Sequence, residues 1–356
     1  MKRIKQRVEK LRRELQANRM EALLVTCPEN IRYLSGFTGG RDARLLITLD
    51  KKYIITDSRY YTQVSLECPD WELVKATPGA ADVLIALSEG FASLGFESSD
   101  LTYDRFLQMQ AGLKPELLPA PGLVEKLRLI KEEIELELLR TAARIGDQVF
   151  TAVCQQIKAG MQEAEIANLI VTGLKNGGCS REAFETIAVA GVNAALPHGQ
   201  PGDYRLQPGD MLTMDFGGLY QGYAGDMTRT VAIHHADTKL RDAYRQLLEA
   251  QELGVGLVQA GMAGRELDQK VRAHLQKYQL DGYFVHSTGH GLGLAVHEAP
   301  RLSASSQDIL QENMAVTVEP GIYIPGWGGI RIEDTVIVKK GGCEVITHSD
   351  KGLLII

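Results

Sequence analysis

Between residues 3 and 18 the apolar positions Ile4, Val8, Leu11 and Leu15 recur every three or four residues among charged neighbours, the spacing that gives a helix one buried face. Short apolar runs follow. Ala22-Leu23-Leu24-Val25-Thr26, Arg44-Leu45-Leu46-Ile47-Thr48 and Tyr53-Ile54-Ile55-Thr56 predict strands, the last two joined by the turn Leu49-Asp50-Lys51-Lys52. Helices predicted near 80–94 and 102–112 complete an α/β unit, and Leu-Leu-Pro-Ala-Pro-Gly at 117–122 predicts a linker. The boundary placed there gives a smaller domain over 1–122 and a larger one over 123–356.

The larger domain opens on a long charged helix from Leu127 to about Gln156, stopped by Gly160, and a second helix near 162–175. The pattern then turns to strands at 185–190, 211–216 and 228–233. Two more helices, 238–259 and 264–279, precede a β-rich stretch from Phe284 to the end. A helix pair followed by strands, twice over, predicts a duplicated half-domain. The fold class expected is therefore α/β (α+β), a small α/β domain followed by a two-halved one, and 356 residues exceed the roughly 250–300 at which a single core stops growing.

Composition narrows the function. A formal net charge of -6 supplies no general basic surface for phosphate backbones, which argues against nucleic acid as the main partner. The charged N-terminus runs into more charge instead of an apolar signal core, and no segment reaches the ~20 apolar residues of a membrane span. Five scattered cysteines without a C-x-x-C pair suggest neither a disulfide framework nor a thiolate metal site, so a reducing cytoplasm is expected.

Chemistry concentrates in the β-rich parts. Asp215 ends the apolar run Thr213-Met214-Asp215-Phe216, and Asp226 follows a turn-rich segment that lets the two acids face each other across a hairpin. His290 lies between glycines in Thr288-Gly289-His290-Gly291, where the backbone can crowd a bound group. Glu319 terminates Val316-Thr317-Val318, and Glu333 sits in the predicted strand Gly329 to Val338, on one face with Arg331 and Thr335. Singly, each is more often a turn cap or a satisfied core residue. Together, four acids in apolar strands would repel one another unless cations lie between them, and four carboxylates with one imidazole suit Mn, Co or Zn. Gly289-His290-Gly291-Leu292-Gly293 lacks the strand-turn-helix context of a dinucleotide loop.

The four acids and one histidine, in the order Asp215, Asp226, His290, Glu319, Glu333, resemble the ligand set of the creatinase and methionine aminopeptidase superfamily, the "pita-bread" metallopeptidases. Thr-Gly-His-Gly-Leu-Gly-Leu-Ala-Val-His-Glu (288–298), Val-Glu-Pro-Gly-Ile-Tyr (318–323) and Gly-Ile-Arg-Ile-Glu-Asp (329–334) resemble its proline-specific branch, aminopeptidase P and prolidase. The resemblance implies a catalytic domain with pseudo-twofold halves, two divalent ions with manganese first and cobalt or zinc as alternatives, and short proline-containing peptides as substrates. It implies a homodimer, while charge and hydropathy give the expectation of no membrane and no nucleic acid as partner. By position it implies catalytic roles for His198, His297 and Glu319, and substrate contacts for His286 and Arg331. The compact Pro-His-Gly loop and short chain resemble those of small bacterial aminopeptidases P, which implies an Xaa-Pro aminopeptidase, with an Xaa-Pro dipeptidase (prolidase) as the alternative, and an inactive binding protein on the same scaffold as a third reading.

Overall fold

The short apolar runs of the first third of the chain become strands of one six-stranded sheet. The computed structural model describes residues 2–77 and 82–356, which divide into two units, Met1–Arg128 and Leu129–Ile356. In the first, strands β1 (Ala22–Val25), β2 (Ala43–Thr48), β3 (Lys52–Thr56), β4 (Glu72–Lys75), β5 (Ser93–Phe96) and β6 (Glu116–Pro119) lie in the order β4-β3-β2-β1-β5-β6. Strand β1 is central and buried throughout, as its unbroken apolar run requires. Helices α1 (Lys2–Ala17), α2 (Pro28–Ser35), α3 (Tyr61–Glu67), α4 (Asp82–Ser88), α5 (Tyr103–Gly112) and α6 (Leu123–Arg128) accompany the sheet, α1 burying Val8, Leu11 and Leu15 as its periodicity predicts.

Three sequence expectations change here. The helix expected over 80–94 ends at Ser88, because Gly90 turns the chain at φ 94° and Ser93–Phe96 pairs as β5; residues 80 and 81 lie outside the described residues. The expected linker contains a strand, β6, which pairs with β5 at the sheet edge, where proline's missing N–H is tolerated. The boundary follows Arg128 and not Gly122, since α6 is tied to α2: Tyr33 donates to the Leu127 carbonyl at 2.9 Å, Asn30 to Glu125 at 2.8 Å and Arg128 to Asn30 at 2.8 Å.

The second unit begins with α7 (Glu133–Cys154), whose start is fixed by a capping box in which Glu132 and Glu135 each accept the other's backbone N–H. That box breaks the single helix expected from Leu127. Helix α8 (Glu163–Asn176) and the antiparallel strands β7 (Ile187–Ala190), β8 (Met211–Phe216) and β11 (Met227–Ala232) complete the first half, with β9 (Leu219–Tyr220) and β10 (Tyr223–Ala224) as a small hairpin between. Ile145, Val149, Ile166, Ile170, Met214 and Phe216 share its core.

The second half repeats the plan. Helices α9 (Thr238–Leu257) and α10 (Gly264–Gln276) pack on a sheet ordered β13-β12-β14-β17-β18, built from β12 (Gly289–Gly291), β13 (Glu298–Leu302), β14 (Ala315–Val318), β17 (Asp334–Lys339) and β18 (Gly342–Val345). The hairpin β15 (Gly321–Ile324) and β16 (Gly328–Arg331) stands apart from it. The run expected as one strand over 329–338 is therefore two, changing sheets at Ile332-Glu333. Among the described residues no helix is long and apolar enough to cross a membrane.

Candidate active site

The strand ends of the two halves bring the expected residues to one cleft. Asp215 sits near the end of β8 between Ile187 of β7 and Thr228 of β11, its register partners, and Asp226 immediately precedes β11. His290 is the middle residue of β12, where the register shifts before Gly291. Glu319 follows β14, its N–H donating to the Thr288 carbonyl at 2.8 Å. Glu333 occupies the sheet change between β16 and β17, its N–H held by the Thr228 carbonyl at 3.1 Å and its Oε2 by the Thr228 hydroxyl at 2.6 Å. Strand packing requires the glycines beside His290: a Cβ at Gly289 would lie 1.9 Å from the Thr317 carbonyl oxygen, and one at Gly291 2.2 Å from that of Ala299.

Asp226, His290 and Glu333 each place a ligand-type atom within 4.8 Å of the other two. Glu319 joins them, its Oε1 being 3.3 Å from His290 Nε2, while Asp226 Oδ2 is 3.6 Å from the same nitrogen. His290 Nδ1 lies 3.1 Å from the Gly291 carbonyl, which can only accept, so Nδ1 carries the proton and Nε2 turns a lone pair towards two carboxylates. Burial, helped by His297, pushes His290 down to about 4 and keeps the ring neutral.

Burial, then the neighbouring Glu333, Asp215 and Glu319, raises Asp226 well above the usual carboxylate range. Burial, then Glu319 and Asp215, does the same to Glu333, and burial pushes Glu319 up to about 8. Asp215 Oδ1 is buried with no hydrogen-bond partner among the described residues. An imidazole lone pair, an orphaned carboxylate oxygen and three acids held against their tendency to ionise form a donor set that fits divalent cations of hard to borderline character.

A directional hydrogen-bond chain backs the cluster. Arg331 donates through Nη2 to Asp215 Oδ2 at 2.5 Å, through Nη1 to the Tyr323 hydroxyl at 2.6 Å and through Nε to Thr228 at 3.2 Å. Tyr323 in turn donates to His286 Nε2 at 2.9 Å, since His286 Nδ1 gives its proton to the Ser287 carbonyl. The Arg331 fork, to which the resemblance assigns a substrate contact, is engaged here by Asp215, Tyr323 and Thr228. Burial and the Arg331 charge push His286 down to about 4.

His198, His286, His297, Arg331 and all five residues of the cluster line one cleft of about 980 Å³. His297 packs edge-on to His290 at 4.3 Å between ring centroids, and burial followed by the Arg301 charge lowers its pKa. Sequence reasoning missed Tyr323, inside the motif 318–323, and Thr228, at the start of the strand expected over 228–233; neither carries a charge to mark it. It also missed Arg301, an exposed cleft residue whose guanidinium has no hydrogen-bond or ion-pair partner among the described residues; its position four residues after His297 was the available signal.

Residues 137–340 match the description of Metallopeptidase family M24, and residues 7–130 that of the Creatinase/Prolidase N-terminal domain. A protein of Pyrococcus horikoshii named Xaa-Pro dipeptidase is 34% identical over 98% of this chain and 99% of its own. The solved structure of an Xaa-Pro dipeptidase from Bacillus anthracis superposes with a TM-score of 0.95 at 39% identity, covering 99% of this chain and 100% of that one. That of an X-Pro aminopeptidase from Thermotoga maritima gives 0.91 at 33%, covering 98% and 99%.

Proposed function

This chain belongs to metallopeptidase family M24, and from that premise we propose that it is an Xaa-Pro dipeptidase, a metal-dependent exopeptidase that hydrolyses the bond between an N-terminal residue and a C-terminal proline. The observation that carries this reading over the aminopeptidase expected from the Pro-His-Gly loop is Arg301. A dipeptidase must recognise a free carboxylate at the proline end, and Arg301 presents an unpaired guanidinium to the cleft. The full-length relatives named as dipeptidases support the same choice. All five cluster residues are present and converge, which speaks against an inactive scaffold.

Asp215, Asp226, His290, Glu319 and Glu333 would hold two divalent ions, manganese being the first choice and cobalt or zinc the alternatives. When bound, the ions supply Lewis acidity towards a carbonyl oxygen and make water nucleophilic at neutral pH. The protein's own groups do the rest. Glu319 is placed to take a proton from attacking water and pass it to the proline nitrogen. His297, neutral because its pKa is lowered, donates a hydrogen bond to the scissile carbonyl as charge develops there, and His198 faces the same bond from the opposite loop. His286 lines the proline side of the cleft. Arg331 holds Asp215 and Tyr323 in place, and the backbone around Ile332-Glu333 with them. Short proline-containing peptides as substrates, a homodimer and a cytoplasmic location belong to the same proposal.

The test is hydrolysis of Ala-Pro, Ala-Pro-NH2 and Ala-Pro-Ala by metal-stripped protein resupplied with Mn, with His198→Ala and Glu333→Ala as controls. Cleavage of Ala-Pro much faster than of Ala-Pro-NH2 and Ala-Pro-Ala, lost in both variants, supports the dipeptidase. Equal cleavage of Ala-Pro-Ala makes the protein an aminopeptidase, and no cleavage with Mn, Co or Zn leaves the scaffold reading.

A further inference from the structure

Glu163, the first residue of α8, is fully buried, yet no Lys, Arg or His pairs with it among the described residues. A carboxylate without a counter-cation is costly in an interior unless N–H groups replace its hydration. Glu163 is supplied with three. Its Oε1 accepts from the Ala190 N–H at 2.7 Å and from Asn193 Nδ2 at 3.2 Å, and its Oε2 accepts from the Gly202 N–H at 3.0 Å. Ala190 ends β7 and Gly202 lies twelve positions later, so the two oxygens of one side chain fasten both ends of a single loop.

The first turn of α8 completes the fastening. The Ala164 N–H donates to the Gly202 carbonyl at 3.0 Å and the Glu163 N–H to the Tyr204 carbonyl at 3.1 Å, so helix N–H groups that have no partner inside α8 hold the returning chain. Gly202 is gripped through both its N–H and its C=O.

The loop carries His198. That imidazole is exposed at the cleft and makes no hydrogen bond of its own among the described residues, unlike His286 and His290, whose rings are each fixed by a backbone carbonyl. Its aim is therefore set by the backbone of residues 190–202, whose third anchor is the Pro197 carbonyl accepting from Arg331 Nη1 at 3.3 Å. We propose that Glu163 is a positioning residue for His198: by closing the loop at both ends it holds the imidazole at the scissile bond. The role of His198 rests on the dipeptidase reading above; the fastening of its loop does not.

Glutamine at 163 keeps the size but has one acceptor oxygen, and its NH2 would face a backbone N–H, so one end of the loop is released. The experiment is a double-mutant cycle of Glu163→Gln and His198→Ala on Mn-loaded full-length protein, with hydrogen exchange of residues 190–202 measured alongside. Expected is a fall in kcat of about 10- to 100-fold for Glu163→Gln with KM changed less than about threefold, and less than about a twofold further loss when it is added to His198→Ala. Amides of the loop should exchange at least about tenfold faster in Glu163→Gln, with the exchange of β8 and β14 unchanged. Losses that multiply in the double variant would assign Glu163 a general structural role and overturn the proposal. Unchanged loop exchange would overturn it even if the wild-type protein cleaved no Xaa-Pro peptide, and inactivity with faster loop exchange would count against the dipeptidase reading alone.

Discussion

Arg229 and Asp334 form an ion pair in which Nη2 and Oδ1 are 2.9 Å apart and each side chain is 1% exposed. Asp334 also accepts from Gln251 of α9 at 3.0 Å, Thr347 at 2.9 Å and Lys351 at 2.8 Å, while Arg229 donates to the Ser349 carbonyl at 2.8 Å. The hub joins β11, α9 and the C-terminal tail directly behind Glu333, whose carbonyl also accepts from Arg229. Breaking such a pair leaves a buried charge unmatched. Asp334→Ala is expected to cost about 3–5 kcal/mol in urea unfolding, and Arg229→Met with Asp334→Leu to recover most of it. Equal losses in the single and double variants would show that the pair's charge is not what matters.

Arg140 of α7 grips Glu344 of β18 with both arms, at 2.6 and 2.9 Å. The Arg140 hydrogen bonds push the Glu344 carboxyl down to about 2, below its ordinary 4.5. A folded-state pKa below the unfolded one stabilises above pH 4.5 and is lost as pH falls towards 2. Glu344 is 36% exposed, so solvent screening reduces the contribution to about 1 kcal/mol. The stability gap between wild type and Arg140→Met should be of that size at pH 7 and close progressively below pH 4.5. A gap that persists at pH 2.5 would mean that packing, not charge, is what Arg140 contributes.

What was legible in the sequence is what has a period or a charge. The long helices of the second unit and the strands β8 and β11 follow directly from spacing, whereas the five cluster residues stand out only when read jointly and set beside the family they resemble. Strands β4 and β6 were invisible because each is a short edge strand with half its residues exposed, so no apolar run marks it. The split of the 329–338 run at Ile332-Glu333 was invisible for another reason: alternation continues across it while the hydrogen-bond partner changes from β15 to β14. Glu163 looked like the acid of any helix start, and only its three N–H donors distinguish it.

Glu97, at the end of β5, behaves oppositely to Glu344. Burial, with Glu125 nearby, pushes its carboxyl up to about 7 despite hydrogen bonds from the Thr26 and Cys27 N–H groups and Asn30. The folded state then binds more protons than the unfolded one between pH 4.5 and 7, so stability falls as pH rises through that window. The stability of Glu97→Gln relative to wild type should increase by roughly 3 kcal/mol from pH 4.5 to 8. Trp71 fluorescence in a Trp327→Phe background reads the first unit alone. A pH-independent difference would rule out this titration.

On the dipeptidase reading, recognition of the substrate carboxylate falls to Arg301 and can be separated from catalysis. Removing a charge-assisted hydrogen bond costs about 1.5–3 kcal/mol, so Arg301→Met should raise KM for Ala-Pro roughly 10- to 100-fold with kcat little changed. The slow hydrolysis of Ala-Pro-NH2, which has no carboxylate, should be unaffected. An equal loss on both substrates would place Arg301 in another role.

Removal of the metal should expose the conflict among the acids. Asp226 makes no side-chain hydrogen bond among the described residues, and its nearest charged neighbours include Glu333, Asp215 and Glu319. Without cations Asp226→Asn relieves that repulsion, and the stripped variant should be more stable than stripped wild type by about 1 kcal/mol, the usual exchange of site strain for stability. Mn at a hundred times its Kd should then stabilise wild type by about 2.7 kcal/mol and the variant much less, so that the two melting curves exchange order. The reversal separates a ligand from a merely buried acid, because an acid that served the fold would leave the variant the less stable of the two both with and without metal.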